Sequence, residues 1–197
     1  MQNQETEFKN ILTKEQFDNI KATYHFQPAF QQTNVYFDTA NNDLKKQQMG
    51  MRIRLFADDA EQTLKTPAPN HIAHQLIETT DKLQKTTAIT LLNNNQIYQQ
   101  GAVAQVLKQH HIKIAQLKII AWATTTRRLL HLPAGLLTLD QTEYPNHTCD
   151  YELEMEIDPQ NYQFSSNFFQ KLLVNFHIAK VPVRNKIARA LANYHHK

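Results

Sequence analysis

The amino-acid sequence predicts an α+β protein built on one large antiparallel sheet. Short segments of apolar/polar alternation recur along the chain, the spacing of a strand with one greasy face. Helical patterns lie between and after those segments without alternating regularly with them, which argues against a parallel sheet. Only three glycines and no Ser-rich or charge-block linker interrupt the 197 residues, so residues 1–197 read as a single domain.

Taken in order, Thr13-Lys14-Glu15-Gln16 carries a capping box, Thr at the cap and Gln three residues later, opening a helix to about Ala22. Asn34 to Thr39 is strand-like, and Met49 to Phe56 alternates Met51, Ile53 and Leu55 with Arg52 and Arg54. Glu61 to Lys65 reads as a short strand, stopped by Thr66-Pro67-Ala68-Pro69. Val103, Val106 and Leu107 recur at helical spacing within Tyr98 to His110. Lys113 to Ala123, Thr126 to Leu132 and Leu136 to Thr142 are expected as consecutive strands, with Leu132-Pro133-Ala134-Gly135 as a turn. Tyr151 to Ile157 is one more strand. Phe168, Phe169, Leu172, Leu173 and Phe176 then mark an amphipathic helix, and a last helix runs from about Arg184 to Tyr194.

Composition narrows the function. A solitary cysteine, Cys149, excludes a disulfide framework and a cysteine-based zinc site. Met1 to Asn10 has neither a basic start nor an apolar run, so no signal peptide is expected, and no apolar stretch of about 18 residues predicts a membrane span. The expected compartment is the cytoplasm. Lys plus Arg (21) against Asp plus Glu (18) leaves a net charge of +3, too little for indiscriminate attraction to nucleic acid or membrane. A glycine-rich phosphate loop is absent, which excludes a P-loop enzyme. His110-His111 and His195-His196 lack ligand spacing and read as surface residues, while Trp122, Phe168-Phe169 and Tyr36-Phe37 read as core.

With so balanced a total, placement of charge carries the information. Glu5, Glu7 and Lys9 lie at i, i+2 spacing on one strand face; Arg52 and Arg54 form a second row; Glu152, Glu154 and Glu156 a third. Solvation of a half-exposed sheet is one source of such alternation. Yet here each row is sorted by sign, and neighbouring like charges repel unless an opposite charge lies between them. Carboxylates in a group suit divalent cations, and Arg and Lys in a group suit phosphate. A site holding both is what a metal-bound polyphosphate requires.

Glu5-Thr6-Glu7-Phe8-Lys9 resembles the Glu-x-Glu-x-Lys signature of the CYTH superfamily, the triphosphate tunnel metalloenzymes. Further matches follow in order: Asn34-Val35-Tyr36-Phe37-Asp38-Thr39, Met51-Arg52-Ile53-Arg54, Thr63-Leu64-Lys65-Thr66-Pro67, Thr125-Thr126-Arg127, Leu139-Asp140, Tyr151 to Glu156, and Asn185-Lys186-Ile187-Ala188-Arg189. The opening Glu7-Phe8-Lys9-Asn10-Ile11-Leu12-Thr13 is similar to that of the YjbK-like bacterial branch. This resemblance implies a closed antiparallel barrel of eight strands, a tunnel with charged rows pointing inward and helices outside.

By the same resemblance, Glu5, Glu7, Glu78, Asp140, Glu152 and Glu154 would bind Mg²⁺ or Mn²⁺, hard ions that prefer oxygen ligands. Lys9, Arg52, Arg54, Lys65, Arg127 and Lys186 would hold triphosphate oxygens, with Glu156 and Arg189 at the margin of the pattern. The implied substrates are inorganic triphosphate and nucleoside or thiamine triphosphate. The implied reactions are hydrolysis, with Glu5 and Glu7 as catalytic carboxylates, or cyclic AMP formation from ATP; a polyphosphate sensor with little turnover is a third reading. One position departs from the pattern. Many relatives have Lys-x-Arg where this chain has Thr125-Thr126-Arg127, and that lysine has been assigned a water-activating role in some hydrolases. Thr is no general base at neutral pH, so either a metal-bound hydroxide or a carboxylate such as Glu5 or Glu7 takes the proton, or the protein is a slow hydrolase.

Overall fold

A computed structural model describes residues 2–68 and 75–194. Eight strands run β1 Gln2–Leu12, β2 Phe30–Thr39, β3 Gly50–Leu55, β4 Asp59–Pro67, β5 Gln75–Gln84, β6 Leu117–Leu132, β7 Gly135–Glu143 and β8 Cys149–Glu156. They close into a barrel in the order β1-β5-β4-β3-β2-β6-β7-β8, every pair antiparallel. Closure depends on β1 changing partner midway. Gln2 to Thr6 pair with β5, whereas Glu7 to Leu12 pair with β8.

Strand alternation sorts side chains between inside and outside. Outward apolar residues form two cores. Met51, Ile53 and Leu64 pack beneath α2 Asp43–Lys46, α3 Lys85–Asn93 and α4 Ala102–Gln109 through Leu44, Ala88, Val103 and Leu107. Leu137, Leu139, Leu153 and Met155 pack beneath α1 Lys14–Thr23 and α5 Tyr162–Asn175 through Phe17, Ile20, Phe169 and Leu172. Phe8 stacks on Phe169 with ring centroids 5.7 Å apart. A third cluster lies at one end of the barrel. There α6 Lys186–Ala192 sets Ala190, with Ile187 and Tyr194 beside it, against the inward residues Tyr36, Ala121, Ala123 and Tyr144. The approach is close: a Cβ on Gly50 would sit 2.5 Å from Ile187 Cδ1.

Most expected elements form, and the departures have local causes. The capping box at Thr13 is complete, with Gln16 N–H donating to Thr13 Oγ1 (3.2 Å) and Thr13 N–H to Gln16 Oε1 (3.0 Å). The expected break between Ala123 and Thr126 is missing, and β6 runs unbroken for 16 residues. Its Thr124-Thr125-Thr126 run is β-branched and pairs on both sides, with β2 and β7. Lys113 to Gln116 is not strand, since Ile114–Gln116 forms a 3₁₀ turn. The helix expected from Tyr98 starts only at Ala102, because the Asp81 carboxylate accepts from Ala102 N–H (2.8 Å) and Val103 N–H (3.1 Å) and fixes the start there. Trp122 is not core: it lies on the outer face of β6 and is 38% exposed. Tyr36, Phe37 and Phe169 are buried as expected, and His110 and His111 are exposed. Pro69, His195 and His196 lie outside the described residues.

Candidate functional site

The inward face of the barrel is charged. Every site residue expected from the sequence on β1, β3, β4, β5, β6, β7 and β8 lies on its strand at the parity that points inside, and Lys186 reaches the interior from the first turn of α6. Two ionic groups result.

The deeper group gathers Asp140, Glu152 and Glu154, of which Asp140 and Glu152 are wholly buried. Their oxygens lie within 4.8 Å of one another. Lys186 Nζ sits among them, 2.9 Å from Asp140, 2.7 Å from Glu152 and 2.5 Å from Glu154. Arg127 binds Asp140 through Nε (2.8 Å) and Nη2 (2.6 Å) and reaches Glu154 at 3.0 Å. Arg189 spans Asp150 (2.7 Å) and Glu152 (2.6 Å). Burial opposes ionisation of Asp140 and Glu154, but Lys186 and Arg127 overcome it and hold both below the usual carboxylate range. Glu152 goes the other way: burial and the neighbouring Glu154 raise it despite Lys186.

The second group lies on β1, β3, β4 and β5. Lys65 Nζ binds Glu5 (2.5 Å) and Glu78 (2.8 Å), and Arg52 lies 3.7 Å from Glu78. Burial, with Glu7 and Glu78 nearby, raises Glu5 even though Lys65 is its partner. Glu7 pairs with Lys9 across one strand face. Arg54 is bound by Asn34 Oδ1 (3.0 Å) and Glu61 (3.1 Å), yet burial, helped by Arg52 and Arg127, lowers its pKa to about 9. Arg52 Nε is buried and has no hydrogen-bond partner among the described residues. Each cation of the basic row thus has a carboxylate within reach, and Arg52 still has a donor to spare.

A cavity of about 230 Å³ is lined by members of both groups, with Glu5, Glu7, Arg54, Arg127, Glu154 and Glu156 on its wall. Its chemistry fits hard cations and anions together. Carboxylate oxygens at Asp140, Glu152 and Glu154 are the donor type Mg²⁺ and Mn²⁺ prefer, and an ammonium already occupies the point at which their charges converge.

The CYTH domain model matches residues 3–191. The chain belongs to the CYTH family. YjbK of Bacillus subtilis (strain 168), provisionally named a triphosphatase, is 31% identical over 187 residues, covering 94% of this chain and 93% of that protein. A crystal structure from Bacillus halodurans, provisionally described as an adenylate cyclase, superposes with a TM-score of 0.86 at 33% identity, covering 95% of this chain and 97% of that one. HpAC1 from Hippeastrum, described as having a dominant triphosphatase activity, shares the fold at 17% identity and a TM-score of 0.77, covering 98% and 96%.

This CYTH chain brings Arg189 and Glu156 to the interior as well, but differently. Arg189 is locked to Asp150 and Glu152, while Glu156 borders the cavity at its outer end. Glu61 and Asn34, which hold Arg54, were not singled out in the sequence. Period two back from Lys65 along β4 reaches Glu61, whereas Asn34 has no charged row on its own strand and meets Arg54 only through the register of β2 with β3. Arg128 points outward, its guanidinium carbon 5.7 Å from the Phe17 ring centroid.

Proposed function

We propose that this CYTH protein is a divalent-metal-dependent phosphohydrolase that hydrolyses inorganic triphosphate or a small organic triphosphate inside the barrel. The observation that carries this reading is the buried Arg52 Nε, without a hydrogen-bond partner among the described residues, beside an Arg54 whose charge is disfavoured first by burial and then by Arg52 and Arg127. Planar guanidinium forks suit phosphate oxygens. Arg52, Arg54 and Arg127, with Lys9 and Lys65, bind the phosphate chain. Asp140, Glu152 and Glu154, with Glu5, Glu7 and Glu78, are the carboxylates that hold Mg²⁺ or Mn²⁺. When bound, the metal supplies charge neutralisation at the phosphate oxygens. Lys186, which lies among the three carboxylates, would be a further cation for the phosphate chain.

Glu5 and Glu7 border the same cavity as Arg54 and Arg127, so their carboxylates are placed to take the proton of an attacking water. The walls exclude bulk solvent, which strengthens each of these contacts. Similarity to the B. halodurans structure keeps a second reaction in view, attack of a ribose hydroxyl on the α-phosphorus of ATP with loss of pyrophosphate.

One assay separates the readings. Protein with Mg²⁺ or Mn²⁺ is given tripolyphosphate, thiamine triphosphate and ATP, and orthophosphate and cyclic AMP are measured. Orthophosphate release abolished by Glu7→Ala, with a raised KM in Arg52→Ala, is expected. Cyclic AMP as the main product establishes the cyclase instead, and tight binding without product establishes a sensor. The same ligands should raise the melting temperature, and no shift at millimolar tripolyphosphate with Mg²⁺ overturns the site.

A further inference from the structure

The inward rows change character at one end of the barrel. The positions that continue the charged face outward are Phe30 on β2, Leu129 on β6, Leu136 on β7 and Phe56 just past the end of β3, and all four border the cavity that holds Arg54 and Arg127. Phe30 stands across from Arg127 in register, and the Arg54 guanidinium carbon lies 5.8 Å from the Phe56 ring centroid. Phe30 is 37% exposed. Large apolar side chains on a water-facing rim forgo the free energy of burial, and neither of the outer cores covers these four.

The other end of the barrel is filled. Ile187, Ala190 and Tyr194 pack against Tyr36, Ala121 and Ala123 there. Among the described residues, a ligand that reaches the basic row therefore enters past Phe30 and Phe56. A bare triphosphate, polar along its whole length, has nothing to offer that rim. A triphosphate esterified to a flat ring places its anionic tail on Arg54 and Arg127 and leaves the ring at the rim, where aromatic faces and guanidinium planes stack on it.

We infer that Phe30 and Phe56, flanked by Leu129 and Leu136, form a ring-binding subsite that selects an organic triphosphate with a planar aromatic group over inorganic triphosphate. This rests on the triphosphate reading above and names its substrate class. No local motif marks such a pocket, because three of the residues come from three different strands and Phe56 from just past a fourth, and they meet only when the barrel closes.

The test is a ratio. Wild type, Phe30→Ala, Phe56→Ala and Phe30→Tyr are compared for Kd, and for kcat/KM where turnover occurs, with ATP, thiamine triphosphate and tripolyphosphate in Mg²⁺. Because both ligands are read on the same folded protein, a loss of yield does not move the ratio. Wild type is expected to prefer at least one organic triphosphate. Each alanine variant should lose about fivefold or more of that preference, the scale of one lost stacking contact, and Phe30→Tyr should keep it. Tripolyphosphate binding with no wild-type preference, or with a preference neither alanine variant moves, overturns the subsite alone. Failure of wild type to bind any of the three overturns the triphosphate reading and the subsite together.

Discussion

Thr125, which stands where the family resemblance implied a lysine, sits in a structural setting. It stands two residues before Arg127 on the inward face of β6, is 1% exposed, and its hydroxyl lies 3.0 Å from that of Thr142. A hydroxyl held in that pair has a structural task and no route to act as a base. Thr125→Val keeps the shape and removes the bond, leaving the Thr142 hydroxyl buried and alone. Thermal or urea unfolding should then show a loss of about 1–2 kcal/mol. Triphosphate turnover should stay within about twofold of wild type, since loss of a proton-transferring group costs about 10²–10⁴-fold. A collapse of turnover in a folded variant would give Thr125 a part in proton transfer.

At the scale of elements, α6 decides whether the barrel has one mouth or two. Seven residues are too few for a helix that stands alone. Asn185 caps it, accepting from Ala188 N–H at 2.8 Å, and Lys186 and Arg189 tie it to β7 and β8. Arg189→Ala leaves Asp150 with only the Tyr144 hydroxyl among the described residues and removes one of two cations from the buried Glu152, so a loss of roughly 3 kcal/mol is expected. For a chain of this length that is a fall of about 6–12 °C in melting temperature. Hydrogen exchange should speed up first in residues 186–192, and unchanged protection there would contradict the anchoring. The sequence disclosed this helix and the strands whose outer faces are apolar, such as β3 and β8. It hid β5, where the outward row from Ile77 to Leu83 is interrupted by the polar Thr79 and by Asp81, which caps α4, so apolar alternation is broken along the strand. It hid α3 too, where Gln84 at the cap makes no side-chain hydrogen bond. Charged rows were legible because sign sorting within a strand is local, whereas the rim of Phe30 and Phe56 depends on closure of the barrel.

For the whole molecule, a net charge of +3 conceals an interior in which carboxylates and cations are packed within hydrogen-bonding distance of each other. Such pairs cost desolvation and recover it only where geometry is good, and the interior is not uniformly satisfied. Glu5 and Glu152 are raised above the usual 4.5, burial first and like charge next. In the window between 4.5 and their folded values the native state binds more protons than the unfolded chain, so stability rises as pH falls through it. Asp140, Glu154 and Glu78 have the opposite sign: burial opposes their charge, but Lys186 and Arg127, or Lys65 and Arg52, hold them below their ordinary values of 3.8 and 4.5. Their contribution is complete above those values and is lost as pH falls beneath them, where the unfolded chain takes up more protons. The apo protein should accordingly reach its highest melting temperature on the mildly acidic side of neutrality and lose stability steeply below about pH 4. Glu152→Gln, which fixes the neutral form, should flatten the rise between neutral pH and 4.5 while leaving the acid limb in place. A melting temperature that falls steadily from neutral pH downward, in wild type and variant alike, would mean that the buried carboxylates of the tunnel are all stabilised as anions, and that the interior is not short of counter-charge around Glu152.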